Sequence, residues 1–130
     1  MYTDPKSAYL ETRATSSVHG ASPHKLIALL LEACQENLAV AKGAVDRKDV
    51  KQKAVAIKKA IDIVVQLQAA LDHEKGGQVA LNLDDLYTFC INRLALANAL
   101  NDTKMIDEVF RVIAEIKLGW SQIKGTGLND

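Results

Sequence analysis

Proline is nearly absent from this chain, with only Pro5 and Pro23, and both stand where a helix could begin. Aromatic residues make up 5% of the sequence, so any core must be built from Leu, Ile, Val and Ala. There is no surplus charge of either sign: 16 Lys and Arg face 16 Asp and Glu. That balance argues against a general nucleic-acid or membrane-surface binder. No apolar run is long enough to span a bilayer, and no charged-then-apolar leader opens the chain, so a cytoplasmic protein is expected. The two cysteines, Cys34 and Cys90, show neither CxxC nor zinc spacing. Each falls on an apolar helix face. Buried free thiols are the plain reading, against a disulfide or metal role.

What the chain does have is helical periodicity. Asp4 and Pro5 offer the cap and first position of a short helix over residues 4–13. A Thr-, Ser- and Gly-containing linker follows over 14–21. Ser22-Pro23 repeats the start signal for a first long helix, where Ile27, Leu30, Leu31, Cys34, Leu38, Ala41 and Val45 share a face. Leu26, Leu29, Ala33, Val40 and Ala44 form a second stripe on its far side. Asp49 and Gln52 have capping-box spacing for a second helix. Its seam runs through Val50, Ala54, Ile57, Ile61, Val64 and Leu71, with Gln68 interrupting it as a half-exposed bundle end or, as the alternative, a polar contact to a partner. Gly76-Gly77 then reads as a stop.

The third long helix is expected from Asn82, with Asp84 and Asp85 near its positive end. Leu83, Leu86, Tyr87, Cys90, Leu94 and Ala97 occupy one face. Phe89, Leu96 and Leu100 occupy a second stripe. Asp102 caps a fourth helix lined by Ile106, Val109, Phe110, Val112, Ile113, Ile116, Trp120 and Ile123. The resulting expectation is an all-α, antiparallel up-down four-helix bundle with a short extra N-terminal helix. One domain covers 1–130: a mobile N-terminal segment (1–21), the bundle (22–124) and a flexible tail (125–130).

Catalysis finds little support. His19, His24 and His73 share no helix face with carboxylates at metal-ligand spacing, and there is no Walker A loop, GxGxxG or nucleophile elbow. No catalytic residue, metal ligand or cofactor is expected. The stretch from Lys42 to Lys59 holds many lysines, but Asp46 and Asp49 interleave and no aromatic is available for base stacking. A solvated helix end accounts for it better than a nucleic-acid patch. The surplus apolar stripes remain. They lie on the first and third long helices, which are diagonal in an up-down bundle, so a compact partner would meet one and a wrapping, disordered partner could meet both.

Ordered short motifs then point to a family. They are Met1-Tyr2 with Tyr9, Ala21-Ser22-Pro23-His24-Lys25-Leu26, Lys59-Ala60-Ile61, Leu71-Asp72 before Gly76-Gly77, Asn82-Leu83 and Leu86-Tyr87. Arg93-Leu94, Ala97-Asn98, Asn101-Asp102, Glu108-Val109 and Trp120 complete the set. Over nearly its whole length the chain resembles the FliS family of flagellar export chaperones. It departs from the family pattern at Leu31-Glu32-Ala33 and at Tyr87-Thr88-Phe89. The resemblance implies a non-enzymatic cytoplasmic chaperone for the disordered C-terminal segment of flagellin, which blocks premature polymerisation and assists delivery to the flagellar type III secretion apparatus. It makes Leu26, Leu29, Ala33, Val40, Phe89, Leu96 and Leu100 the expected flagellin-binding residues. Tyr2, Tyr9 and Leu10 would cover the groove when no client is bound. An export-gate subunit or a regulatory protein is a further partner the resemblance leaves open. Neither nucleic acid nor stable membrane insertion is expected, and the oligomeric state is monomer or weak dimer. A four-helix adaptor for a folded partner is the alternative.

Overall fold

The computed structural model describes residues 20–123, so the expected N-terminal helix and Tyr2, Tyr9 and Leu10 lie outside the described residues. Four helices follow one another: α1 (Pro23–Asp46), α2 (Val50–Ala69), α3 (His73–Leu100) and α4 (Thr103–Ser121). Among the described residues there is no strand. The neighbouring pairs are α1–α2, α2–α3, α3–α4 and α1–α4, while α1–α3 and α2–α4 are diagonal. This is the up-down bundle that short connections impose.

Local chemistry sets the helix ends. Ser22 caps α1 by accepting from the Lys25 amide at 3.1 Å, with Pro23 in the first turn. Asp49 caps α2 through the Gln52 amide at 3.0 Å. The reciprocal half of the expected capping box is not made. The Asp49 amide donates instead to Ala44 O at 2.8 Å, and the Gln52 side chain is taken by Arg47. Asp102 caps α4 by accepting from the Lys104 and Met105 amides, after Asn101 turns the chain in the left-handed conformation.

The start of α3 corrects the sequence reading. Helix α2 already ends at Ala69, with Ala70 as its C-cap, and Asp72, accepting from the Lys75 amide at 3.0 Å, caps α3 ten residues earlier than Asn82 would. Gly76-Gly77 does not stop a helix; it bends one. Gly77 sits at φ 50° and ψ −125°, a conformation open in practice only to glycine. A Cβ on Gly76 would come within 2.8 Å of the Ala80 Cβ. Asn82 accepts from the Gln78 side chain on the outside of the helix, and Asp84 is held mid-helix by Gln68 Nε2 at 2.6 Å. Gln68 therefore joins α2 to α3.

The core is aliphatic. Leu31, Leu38, Ile57, Val64, Leu94, Ile106, Val109 and Ile113 are essentially inaccessible. Each large side chain removed from water contributes about 1.5–3 kcal/mol before ordering costs. The α2 seam is rotated from the expected one. Ala56, Ala60, Ile63 and Leu67 are buried, whereas Val50 and Ala54 are exposed. The second stripe of α1 is partly consumed in the same way. Lys42 and Gln35 reach α4, through Asp107 and Lys117 respectively. Ala33 and Ala44 lie on the opposite flank, which turns to α2, and both are buried. Small residues on both helices allow this close approach, and α1 packs most extensively on α2.

One clasp closes the far end. The His24 and Trp120 rings stack at 4.7 Å and 12°. Trp120 Nε1 donates to His24 O and His24 Nε2 donates to Trp120 O, both at 2.9 Å. This pins the first turn of α1 to the last turn of α4. Replacing Trp120→Phe keeps a stacking ring and removes the N–H. The expected loss is about 0.5–1.5 kcal/mol of stability, read by circular dichroism in urea because the only tryptophan is gone. An unchanged midpoint would mean that the clasp contributes nothing.

Candidate interaction surface

After the bend at Gly77, α3 carries a stripe at positions 79, 82, 86, 89, 93, 96 and 100. The spacing alternates three and four, the pattern of a coiled-coil seam. Five of the seven residues are apolar: Val79, Leu86, Phe89, Leu96 and Leu100. A seam in a folded bundle should be buried, yet Val79 is 64% exposed, Leu96 45% and Leu100 59%. The stripe spans roughly 30 Å at about 1.5 Å per residue, long enough for some six turns of a partner helix.

Arg93 fixes where the stripe faces. Its guanidinium lies 4.9 Å from the centre of the Phe89 ring, and its Nε is 3.4 Å from Glu108 of α4. The stripe therefore turns toward the α4 side of α3. Phe89 itself is half-buried and packs against the core, so it braces α3 as well as lining the stripe. The opposite flank of α3 is engaged with α2 through Asp84 and Thr88, both bonded by Gln68.

The expected site residues separate into groups. Leu96 and Leu100 are exposed on one stripe with Phe89 beside them. On α1, Val40 is 44% exposed, Leu26 and Leu29 are half-buried, and Ala33, at 2%, offers no surface. Because α1 and α3 are diagonal, the two sets are not brought together. Val79 and Leu86 were missed. Val79 precedes the helix expected from Asn82, and Leu86, at 39% exposure, shares its expected face with Tyr87, Cys90 and Leu94. The three-four alternation continued back through Asn82 is the signal that finds both.

Beneath the stripe the helix carries titratable groups facing inward. Burial pushes the Cys90 thiol up to about 12. The Tyr87 hydroxyl is also pushed up to about 12, first by burial and then by the neighbouring Cys90 and Cys34 thiols. Cys34 is raised by burial and by Cys90. Both cysteines are free and buried, which is the plain reading of the sequence. Such thiols are poor nucleophiles at neutral pH. Among the described residues, no three His, Cys, Asp or Glu side chains are grouped to hold a metal ion, and no helix is long and apolar enough to cross a membrane.

An unclosed apolar seam on a helical bundle is what a helix-binding protein would present, and comparison with known proteins places the chain. The family model for flagellar protein FliS matches residues 5–127. The chain belongs to the FliS family. It is similar to the flagellar secretion chaperone FliSB of Pseudomonas aeruginosa, at 44% identity over 115 residues, covering 88% of this chain and 91% of that protein. It is also similar to the flagellar secretion chaperones FliS of Vibrio cholerae (39% identical; 89% of this chain, 85% of that one) and Salmonella typhimurium (41%; 89% and 87%). The FliS family match extends through the whole bundle, including the bent α3 and its stripe.

Proposed function

We propose that this protein is a flagellar secretion chaperone that binds the disordered C-terminal segment of flagellin in the cytoplasm, prevents its premature polymerisation and assists its delivery to the flagellar type III secretion apparatus. The observation that carries this reading is the exposed seam Val79, Leu86, Phe89, Leu96 and Leu100 on α3. An amphipathic client segment has its own apolar face, and docking both faces removes both from water. The relatives named as flagellar secretion chaperones support the same reading. No bond is made or broken. The protein's contribution is a substitute apolar partner, offset by the roughly 2–5 kcal/mol needed to order a disordered client.

Calorimetric titration with a flagellin C-terminal segment tests the reading. Wild-type protein should bind, and helicity by circular dichroism should exceed the sum of the separate components. Leu96→Ala, at a site nearly half exposed, should weaken binding about tenfold while the protein stays folded. Wild-type protein that ignores the segment would remove the chaperone reading. A folded Leu96→Ala variant with unchanged affinity would move the client off the α3 stripe.

A further inference from the structure

A second feature lies at the end of the bundle where the α3 stripe finishes. A cleft of about 390 Å³ opens between the α1–α2 loop and the α3–α4 turn. Val45 and Val50 supply apolar walls, and Lys48, Lys53 and Asn101 supply polar ones. Lys53 is unusual in being a lysine only 6% exposed. Its Nζ donates to Asn98 O at 2.9 Å and to Asn101 Oδ1 at 2.5 Å. Both acceptors are neutral, and among the described residues no carboxylate pairs with this ammonium. The carbonyl end of α3 supplies only a partial negative charge against a full positive one. A buried cation of this kind calls for an anionic partner.

Besides Lys53 the lining carries one further cation, Lys48, and one anion, Asp49, so the cleft is net positive by a single charge. Lys48 is exposed at its mouth and takes no carboxylate partner. Asp49, the only acid lining the cleft, already accepts from the Gln52 amide as the cap of α2. Two ammonium groups beside valine walls suit an apolar residue that ends in a carboxylate. The α3 stripe ends at Leu100, and the next residue, Asn101, lines the cleft.

We propose that this cleft receives the free C-terminal carboxylate of the client, held by Lys53 and Lys48 as the client helix runs along the α3 stripe parallel to α3. The inference rests on the chaperone reading, since a C-terminal client segment ends in that group. The orientation follows: the cleft lies at the C-terminal end of α3, so only a client helix parallel to α3 brings its own C-terminus to it.

The flagellin C-terminal segment is titrated by calorimetry as the free acid and as the C-terminal amide. The amide should bind the wild-type protein on the order of tenfold more weakly, the effect of losing a charge-assisted hydrogen bond. Lys53→Met should abolish the difference between acid and amide. Because that change could undo the end of α3, Lys48→Gly is the second variant. Glycine keeps the φ of 60° at this position and removes the charge. It should weaken the free acid and leave the amide unchanged. Equal affinity of acid and amide for the wild-type protein would overturn the carboxylate site and leave the chaperone reading intact, as would equal loss of both forms in Lys48→Gly. If neither form binds wild-type protein, the chaperone reading fails and takes this site with it.

Discussion

Leu94→Ala should destabilise the bundle by about 2–5 kcal/mol, while Leu96→Ala, two residues along the same helix, should change stability by no more than about 0.5–1 kcal/mol. Leu94 is wholly inaccessible and belongs to the central cluster, and Leu96 is 45% exposed on the α3 stripe. Truncating Leu94 removes its transfer free energy and leaves a cavity that the surrounding core only partly fills. Truncating Leu96 deletes atoms that already touch water. Urea unfolding followed at Trp120 fluorescence measures both. Equal costs at the two positions would show that the stripe is core in solution and not surface. Combined with the calorimetry on Leu96→Ala, the pair separates the residues that hold α3 in place from those offered to a partner.

That separation was only half legible in the sequence. Cys90, Leu94 and Ala97 were readable as core because their spacing keeps one face of a 3.6-residue helix toward the bundle axis. Leu96 and Leu100 stood out because they lie well round from that face. Leu86 lies between the two sets, and periodicity alone cannot tell the edge of a core from the edge of a surface stripe. On α1 the error ran the other way. Ala33 and Ala44 were spaced like a spare stripe, but alanine allows the backbones of α1 and α2 to close together, and that approach buries both. A wheel diagram gives direction and no distance. The caps were legible wherever a side chain answers to its own backbone, as at Ser22, Asp49 and Asp102. Gly76-Gly77 misled because a glycine pair ends a helix in most settings, whereas Asp72 restarts this one four residues earlier and the glycines absorb a bend. The Lys53 cleft had no sequence signal of its own: a lysine among lysines became distinctive only once α3 ended against it.

Alkali should unfold this protein steeply, and two thiols should account for most of the slope. Cys34, Cys90 and Tyr87 are all 3% exposed or less. Their ordinary values are 9.0, 9.0 and 10.0, and folding raises all three, Cys90 and Tyr87 to about 12. The dominant cause is burial, which disfavours a thiolate or phenolate in an apolar core. A group whose pKa rises on folding holds its proton more tightly in the native state. Its stabilisation is fully present below the unfolded value and is lost as pH climbs through the folded one. At about pH 10–11 the unfolded chain has released most of three protons that the native chain still holds, so stability should fall by up to about 4 kcal/mol per pH unit there. A domain holding about 5–15 kcal/mol in total should not survive much beyond that window. Urea midpoints at a series of pH values from 8 to 11 measure the slope. The Cys34→Ala, Cys90→Ala double variant starts less stable because two small cavities open, yet its slope should be shallower by about 3 kcal/mol per pH unit. Lysines and the other tyrosines are common to both proteins and cancel in the comparison. Parallel slopes would show that the two thiols ionise as readily in the folded bundle as in the unfolded chain, and the core beneath the α3 stripe would then be wetter than its packing indicates.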